Sequence, residues 1–317
     1  MVAVAARSSG SPAARRERSP SVVQVVEREV WLSGLSYVEA MTRLVQRARR
    51  QAPTAGLWEA GDLQWWWRRP RASDALAQRV VVDEADEPLA CVALTDWDDR
   101  WSCEALVVPG RTDDLLPRLW SSALAELDRQ EVTAVETSIR DDDPVMAELA
   151  TDSGFAPASQ RYAETWLDAH DRPPTPGLGE GYSLSDRVQD RDRPHHMIAR
   201  NGPEVAVRLA QLSLYRPDLD LCIRHHDGEV AAYGLFWHDP VNGVGLVEPM
   251  RAEDAHQRRG LAGHVLREGV ARLAALGATR LKVSYELDNP AAERLYLSAG
   301  FRPGSNSEVW MRGAPSA

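Results

Sequence analysis

Apolar and polar positions alternate along this chain in short blocks that switch between the two-residue period of strands and the roughly 3.6-residue period of helices. The most regular block lies towards the C-terminal end. Residues 245–250 form a short apolar run that predicts a strand, and a polar loop, residues 251–256, follows it. Gln257-Arg258-Arg259-Gly260-Leu261-Ala262-Gly263 comes next. From Leu261 the apolar side chains fall at 261, 265, 266, 270, 273 and 276, which is one face of a helix, and Gly277 is a natural residue to end it. Residues 279–284 read as a strand. Residues 288–301 read as a strand end, a short helix with Pro290 in its first turn, and a break at Gly300-Phe301.

The preceding chain predicts the same order of elements. Residues 22–31 can form a strand and residues 37–50 a helix rich in arginine. Residues 79–94 predict a hairpin with a polar turn at 83–88, and 105–108 a strand that stops at Pro109. A helix over 115–129 and a strand over 133–139 follow. Asp143-Pro144 opens a short helix that breaks at Gly154-Phe155, and 161–167 is the last strand before a Pro/Gly-rich linker at 170–181. Beyond the linker come a strand at 182–184, a helix at 202–214 and a hairpin at 219–235 with its turn at His226-Asp227-Gly228; the chain closes on a strand at 308–311. Asp143-Pro144 and Asn289-Pro290 are 146 residues apart, as are Gly154-Phe155 and Gly300-Phe301, and Asp86 precedes Asp227 by 141. The expectation is an α/β (α+β) protein with mixed sheets, one unit built twice.

Composition narrows the function classes. At 317 residues the chain has room for two ordinary domains, and 44% hydrophobic with 26% charged residues is the balance of a soluble globular protein. A net charge of −10 opposes general nucleic-acid binding and is compatible with a cationic substrate. Cys91, Cys103 and Cys222 stand alone in apolar runs, which predicts small core residues in a reducing cytoplasm. No apolar run approaches the ~18 residues of a membrane span, so no membrane partner is expected. The first twenty residues hold no apolar segment with a cleavage site, so no secretion signal is expected either. Residues 1–21 are rich in Ala, Ser, Arg and Pro and read as a disordered tail. Trp58, Trp65, Trp66 and Trp67 fall within ten residues, either as core and domain interface or as the lining of a ligand groove.

Residues 257–263 carry the chemistry. The first N–H groups of a helix lack internal partners and bear partial positive charge, small residues at Gly260, Ala262 and Gly263 admit a phosphate to the backbone, and Arg258 and Arg259 add full charges. The turn is neither a P-loop nor a dinucleotide fingerprint. On its own it reads equally as an anion cradle or as a glycine-rich turn with solvated arginines.

Gln257, Gly260 and Ala262 fit the pattern Q/R-x-x-G-x-G/A, and Asn289, Ala292, Leu295, Tyr296, Gly300 and Phe301 fit N-x-x-A-x-x-L-Y-x-x-x-G-F. With both motifs at this spacing the chain resembles the GNAT superfamily of acyl-coenzyme A-dependent N-acyltransferases, most clearly over about 220–312. The resemblance implies two tandem GNAT folds with mixed, mostly antiparallel central sheets flanked by helices, in a layout similar to that of mycothiol synthase. It divides the chain into the tail at 1–21, a degenerate N-terminal GNAT-like domain at 22–168, a linker at 169–180 and a catalytic C-terminal domain at 181–317. Acetyl-coenzyme A is the implied co-substrate, with no metal. Its pyrophosphate would sit on Gln257, Arg258, Arg259, Gly260, Leu261, Ala262 and Gly263. The backbone at Met250, Arg251 and Ala252 would pair with the pantetheine arm like an added strand, and Asn289 would bond the cofactor arm. Tyr296 would touch the cofactor and serve as general acid to the departing thiolate.

Other roles follow from the residues themselves. Glu248, a carboxylate in an apolar strand, is the best candidate for the base, with loop support or binding of a substrate ammonium as the other reading. Trp237, His238 and Tyr215 are weaker acceptor-site candidates. His195-His196 and His225-His226 show no carboxylate or cysteine at ligand spacing and read as solvated. In the first half Asp113 and Asp114 would repel a pyrophosphate, Pro117 removes an N–H near the helix start, and Asp143 and Ala150 stand where the second half has Asn289 and Tyr296. That half is expected to close one side of the acceptor site without binding cofactor. The expected activity is acetylation of a primary amine of a small molecule by a monomer or homodimer. Its alternatives are a mycothiol-synthase-like acetylation of a cysteinyl amine and a non-catalytic acyl-coenzyme A-binding regulatory module.

Overall fold

In the computed structural model residues 27–313 are described. The tail expected at 1–21, residues 22–26 of the expected first strand and the side chains of Asp113 and Asp114 lie outside the described residues. The first half runs β1 (Arg28–Leu32), α1 (Gly34–Gln51), α2 (Ala60–Trp66), β2 (Gln78–Val82), β3 (Pro88–Asp96), β4 (Trp101–Val107), α3 (Thr112–Arg129), β5 (Ala134–Arg140), α4 (Pro144–Asp152) and β6 (Ala156–Asp168). The second runs β7 (Tyr182–Asp186), α5 (Ile198–Asn201), α6 (Val205–Ala210), β8 (Asp220–His225), β9 (Val230–Asp239), β10 (Val244–Ala252), α7 (Leu261–Ala275), β11 (Arg280–Glu286), α8 (Pro290–Ser298) and β12 (Arg302–Gly313). The same order of strands and helices thus occurs twice.

Local chemistry repeats with it. Asp143 and Asn289 each precede a proline and each cap the following helix, accepting from the N–H of Met146 at 3.0 Å and of Ala292 at 3.1 Å. Gly154 and Gly300 end those helices with φ of +82° and +92°. The hairpin turns match one residue away from the expected register: the N–H of Asp86 bonds the carbonyl of Asp83 as that of Gly228 bonds His225. Asp86 therefore takes, at φ +64°, the left-handed conformation that glycine supplies in the second half.

All the strands join one mixed sheet in the order β1-β2-β3-β4-β5-β12-β6-β11-β10-β9-β8-β7. The last strand of each half lies beside the penultimate strand of the other: β12 pairs with β5 and β6 pairs with β11. Most pairings are antiparallel; β4–β5 and β10–β11 are parallel. One apolar core fills the first half and runs on into Met197, Leu209, Trp237 and Leu246 of the second, while another packs α7 against β9, β10 and β11 with Ala163 and Leu167 of β6. Where β6 meets β11, Lys282 is 1% exposed and lies 2.9 Å from Glu164 and 3.6 Å from Glu59, each of which also pairs with an arginine, Arg140 at 3.3 Å and Arg49 at 2.5 Å.

Some elements depart from their expected bounds. β6 and β12 are longer than the apolar runs that announced them, because their outer residues pair across the exchange and need no apolar face. The helix expected at 202–214 is two short helices, split where Gly202 takes φ +84° ahead of Pro203. α3 starts a turn early, so Pro117 lies within it. His195 and His196 are buried around Asp220, each with Nε2 3.0 Å from a carboxylate oxygen, and His225 pairs with Asp227 at 2.7 Å. The first pair is not solvated as expected, because Asp220 is brought to it by the fold and not by sequence spacing; His225 is half-buried and His226 is exposed. All three cysteines are buried and unpaired. No helix among the described residues is long and apolar enough to cross a membrane.

Candidate active site

Two parallel strands that part company make the opening. β10 and β11 pair only through Val244, Gly245 and Leu246, opposite Arg280, Leu281 and Lys282. Beyond that point β10 stays with β9 and β11 stays with β6, so the facing edge of β10 from Glu248 onward has no strand partner. A bulge between Val247 and Met250 turns β10 at this place, and Trp237 Nε1 donates to the Glu248 carbonyl at 2.7 Å to hold it there.

Glu248 is half-buried on one side of the parting; Tyr296, on α8, is 7% exposed. Burial raises the Glu248 carboxyl, opposed by the charge of Arg68 and a hydrogen bond from Trp65. Burial likewise pushes the Tyr296 phenol well above its ordinary range, and the charge of Glu248 raises it further. Burial thus favours the protonated form of both groups, and the Tyr296 ring packs in the second core beside Tyr285 at 5.9 Å and Phe301 at 6.1 Å.

At the outer end of β10 the loop 253–260 leads to α7. Gly260, at φ +79°, is the residue before the helix and has no side-chain oxygen to cap it, so the first N–H groups are left for another acceptor. Gln257, Arg258, Arg259 and Gly260 are exposed, and among the described residues neither arginine pairs with a carboxylate. Leu261 is buried under the helix while Ala262 and Gly263 are half-buried at its start. Met250 and Ala252 lie on the unpartnered edge; Arg251 there leans on Glu253 at 3.3 Å, and Gln257 donates to Asp254 at 3.0 Å. Asn289 is exposed at the mouth, its oxygen engaged as the α8 cap.

A cavity of about 330 Å³ opens from Glu248 into the junction between the halves. Gly61 lets α2 reach it, since a Cβ there would lie 2.7 Å from the Trp237 side chain. α2 thereby carries Asp62, Trp65 and Trp66 over the end of β10, joined by Trp58, Trp97 and Glu104. The tryptophan block is divided between packing and cavity lining. Trp65 is buried and Trp67 stacks under Arg208 at 3.5 Å in the contact between halves, while Trp58 and Trp66 face the cavity. Burial pushes Asp62 up to about 7 and Glu104 up to about 8.

Asp62 and Glu104 were missed in the sequence, and the place of Glu104 shows only in the strand register. Trp101 pairs with Val135 on β5 as Gly245 pairs with Leu281 on β11, so three residues on from each, Glu104 is the counterpart of Glu248. His238 and Tyr215, expected near the acceptor, lie elsewhere; Tyr215 donates to the buried Asp220 at 2.9 Å. Trp237 acts through the Glu248 backbone and does not line the cavity. The first half keeps a cleft of its own, about 420 Å³ where β4 and β5 part after Ser102, but its loop from β4 to α3 is 108–111 against 253–260 in the second.

Residues 184–301 match the family model described as the acetyltransferase (GNAT) family. No curated protein sequence matches the chain. Among solved structures, a tandem GNAT protein from the clavulanic acid biosynthesis pathway is 18% identical, with 92% of this chain and 100% of that one covered and a TM-score of 0.67. A GCN5-related N-acetyltransferase from Sphaerobacter thermophilus is 18% identical over 92% and 96% of the two chains, with a TM-score of 0.62. A GNAT-family acetyltransferase from Colwellia psychrerythraea is 15% identical over 90% and 100%, with a TM-score of 0.51. At such identities the likeness is one of fold, a mixed α/β GNAT fold with a large, mostly antiparallel sheet flanked by helices.

Proposed function

We infer that this chain, whose residues 184–301 match the model of the GNAT acetyltransferase family, transfers an acetyl group from acetyl-coenzyme A to a primary amine of a small molecule, with the reaction in the cleft between β10 and β11. The observation that carries the reading is the parting of β10 from β11 at Glu248, with the outer end of β10 leading to an uncapped helix start flanked by Arg258 and Arg259. The unpartnered edge of β10 suits the amide-bearing arm of the thioester, and Arg258, Arg259 and the α7 N–H groups suit its pyrophosphate. No metal is invoked.

The residues then divide the work. An amine arrives as ammonium, and Glu248, its carboxyl poised upward by burial, accepts the proton that frees the nitrogen lone pair. The nitrogen forms its bond to the thioester carbonyl carbon, the carbon–sulfur bond breaks, and the thiolate takes the Tyr296 proton. The second proton that the nitrogen sheds as the amide forms returns through solvent to the Tyr296 phenolate, and the Glu248 proton is lost with the products. The first half, by this reading, supplies the far wall of the acceptor cavity.

The test is a panel of primary amines with acetyl-coenzyme A, followed by thiol release. Amine-dependent release that falls about 10²-fold in Glu248→Gln and again in Tyr296→Phe is the expected result. Binding of acetyl-coenzyme A with no transfer to any amine would instead support a regulatory module.

A further inference from the structure

The walls of the inter-half cavity meet at right angles. Trp58 and Trp66 stand edge to face at 5.0 Å with 81° between their planes, and Trp66 and Trp97 at 6.1 Å and 80°. Rings set this way offer faces on adjacent sides of a box, which suits a compact cation; a sugar ring is better served by one flat platform. Two nearby rings are already taken, Trp97 by Arg71 at 4.0 Å and Trp65 by Arg68 at 4.4 Å. Among the described residues no lysine or arginine stands over Trp58 or Trp66.

Glu104 stands against that free corner. It is 3% exposed, takes hydrogen bonds from Trp58 Nε1 at 3.1 Å and from the Ser138 N–H at 3.2 Å, and among the described residues no cation pairs with it. A buried carboxyl with neutral donors alone leaves a charge to be answered. Four carboxylates and two guanidiniums line the cavity, and one of those guanidiniums, Arg100, is committed to Glu136 at 2.5 Å. Desolvation raises the Glu104 and Asp62 carboxyls, and an incoming cation would draw both towards ionisation.

We propose that the acceptor carries a second cationic group, an ammonium or alkylammonium, seated against Trp58, Trp66 and Glu104 while the amine to be acylated lies at Glu248. The inference rests on the acyltransferase reading of the cleft and adds the class of acceptor: small diamines and amines with a quaternary end. Glu104 is then a binding residue. It is the counterpart of Glu248, but the first half has Ala150 where the second has Tyr296, so no acid faces it. A carboxylate at the reaction position of one half selects what the other half acylates.

The experiment compares kcat/KM for straight-chain α,ω-diamines with that for n-alkylamines of matching length, with glucosamine as a neutral-ended control. The wild type is expected to favour the best diamine by about 30-fold or more, as a desolvated cation–π contact of ~2 kcal/mol gives. Glu104→Gln and Trp58→Phe should bring that ratio to within about threefold, through the KM of the diamine and not its kcat. Equal use of mono- and diamines, or a preference for glucosamine, overturns the proposal while leaving acyl transfer intact. Failure to bind acetyl-coenzyme A or to acylate any amine overturns both. The wild-type ratio stands without the variants, so a variant that misfolds does not shelter the idea.

Discussion

The proposed acid–base chemistry rests on Glu248 and Tyr296, and both are poorly hydrated. Desolvation raises both, so the carboxyl titrates above the ordinary carboxylate range and the phenol stays protonated. The acidic limb of the kcat/KM–pH profile should therefore lie above the usual carboxylate range and vanish in Glu248→Gln; a profile of unchanged shape in that variant would remove Glu248 as the base. Glu104 makes a separate prediction about stability. Its folded pKa, about 8, exceeds the ordinary 4.5, so the native state holds the proton more tightly than the unfolded chain. The stability this contributes is complete below the ordinary carboxylate range and is lost as pH rises towards about 8. Thermal melts of the unliganded protein should show Tm falling over that interval, with a shallower fall in Glu104→Gln; equal slopes would contradict the burial of an uncompensated carboxyl. Tyr296 and residues 257–263 could be named as candidates from the sequence because they are local: a loop, a helix start, a motif. Glu104 and Asp62 were not, because their significance arises only when two distant segments face one cavity.

Between elements, the exchange of β6 and β12 is the feature that ties the two halves together. Lys282 on β11 meets Glu164 on β6 and Glu59 just before α2, all nearly inaccessible to water. Removing one partner of a buried ionic network leaves charge without compensation, so Lys282→Met should cost about 3–5 kcal/mol in denaturant unfolding. A loss below ~1 kcal/mol would mean that the arginines beside Glu59 and Glu164 balance them unaided. Helix and strand identity was readable from period, and the caps at Asp143 and Asn289 from the proline that follows each. Strand exchange was not readable. An exchanged strand and an unexchanged one carry the same alternation of faces, and only the partner differs. The bridging role of α2 was hidden for a similar reason, since Gly61 and the tryptophans also suit a plain interface.

At the scale of the molecule, the sheet makes each half depend on the other for its last strand. Residues 27–168 and 181–313 produced separately should fail to fold as soluble monomers and should recover structure when produced together. A stable monomeric half would show that β6 or β12 can return to its own sheet. Both halves keep the parting of parallel strands and a cleft beside it, but only the second has the long loop and the two unpaired arginines. The central claim is thus that one thioester binds per chain, on the start of α7. The most direct measurement is calorimetric titration of acetyl-coenzyme A into the wild type and Gly260→Asp. Gly260 sits at φ +79° with open space around it, so aspartate strains the turn and brings an anion to the pyrophosphate site while meeting no neighbour. One site per chain, lost in the variant, is the predicted result. Binding that survives the substitution, or a stoichiometry of two, would contradict the account and move the thioester to the cleft of the first half.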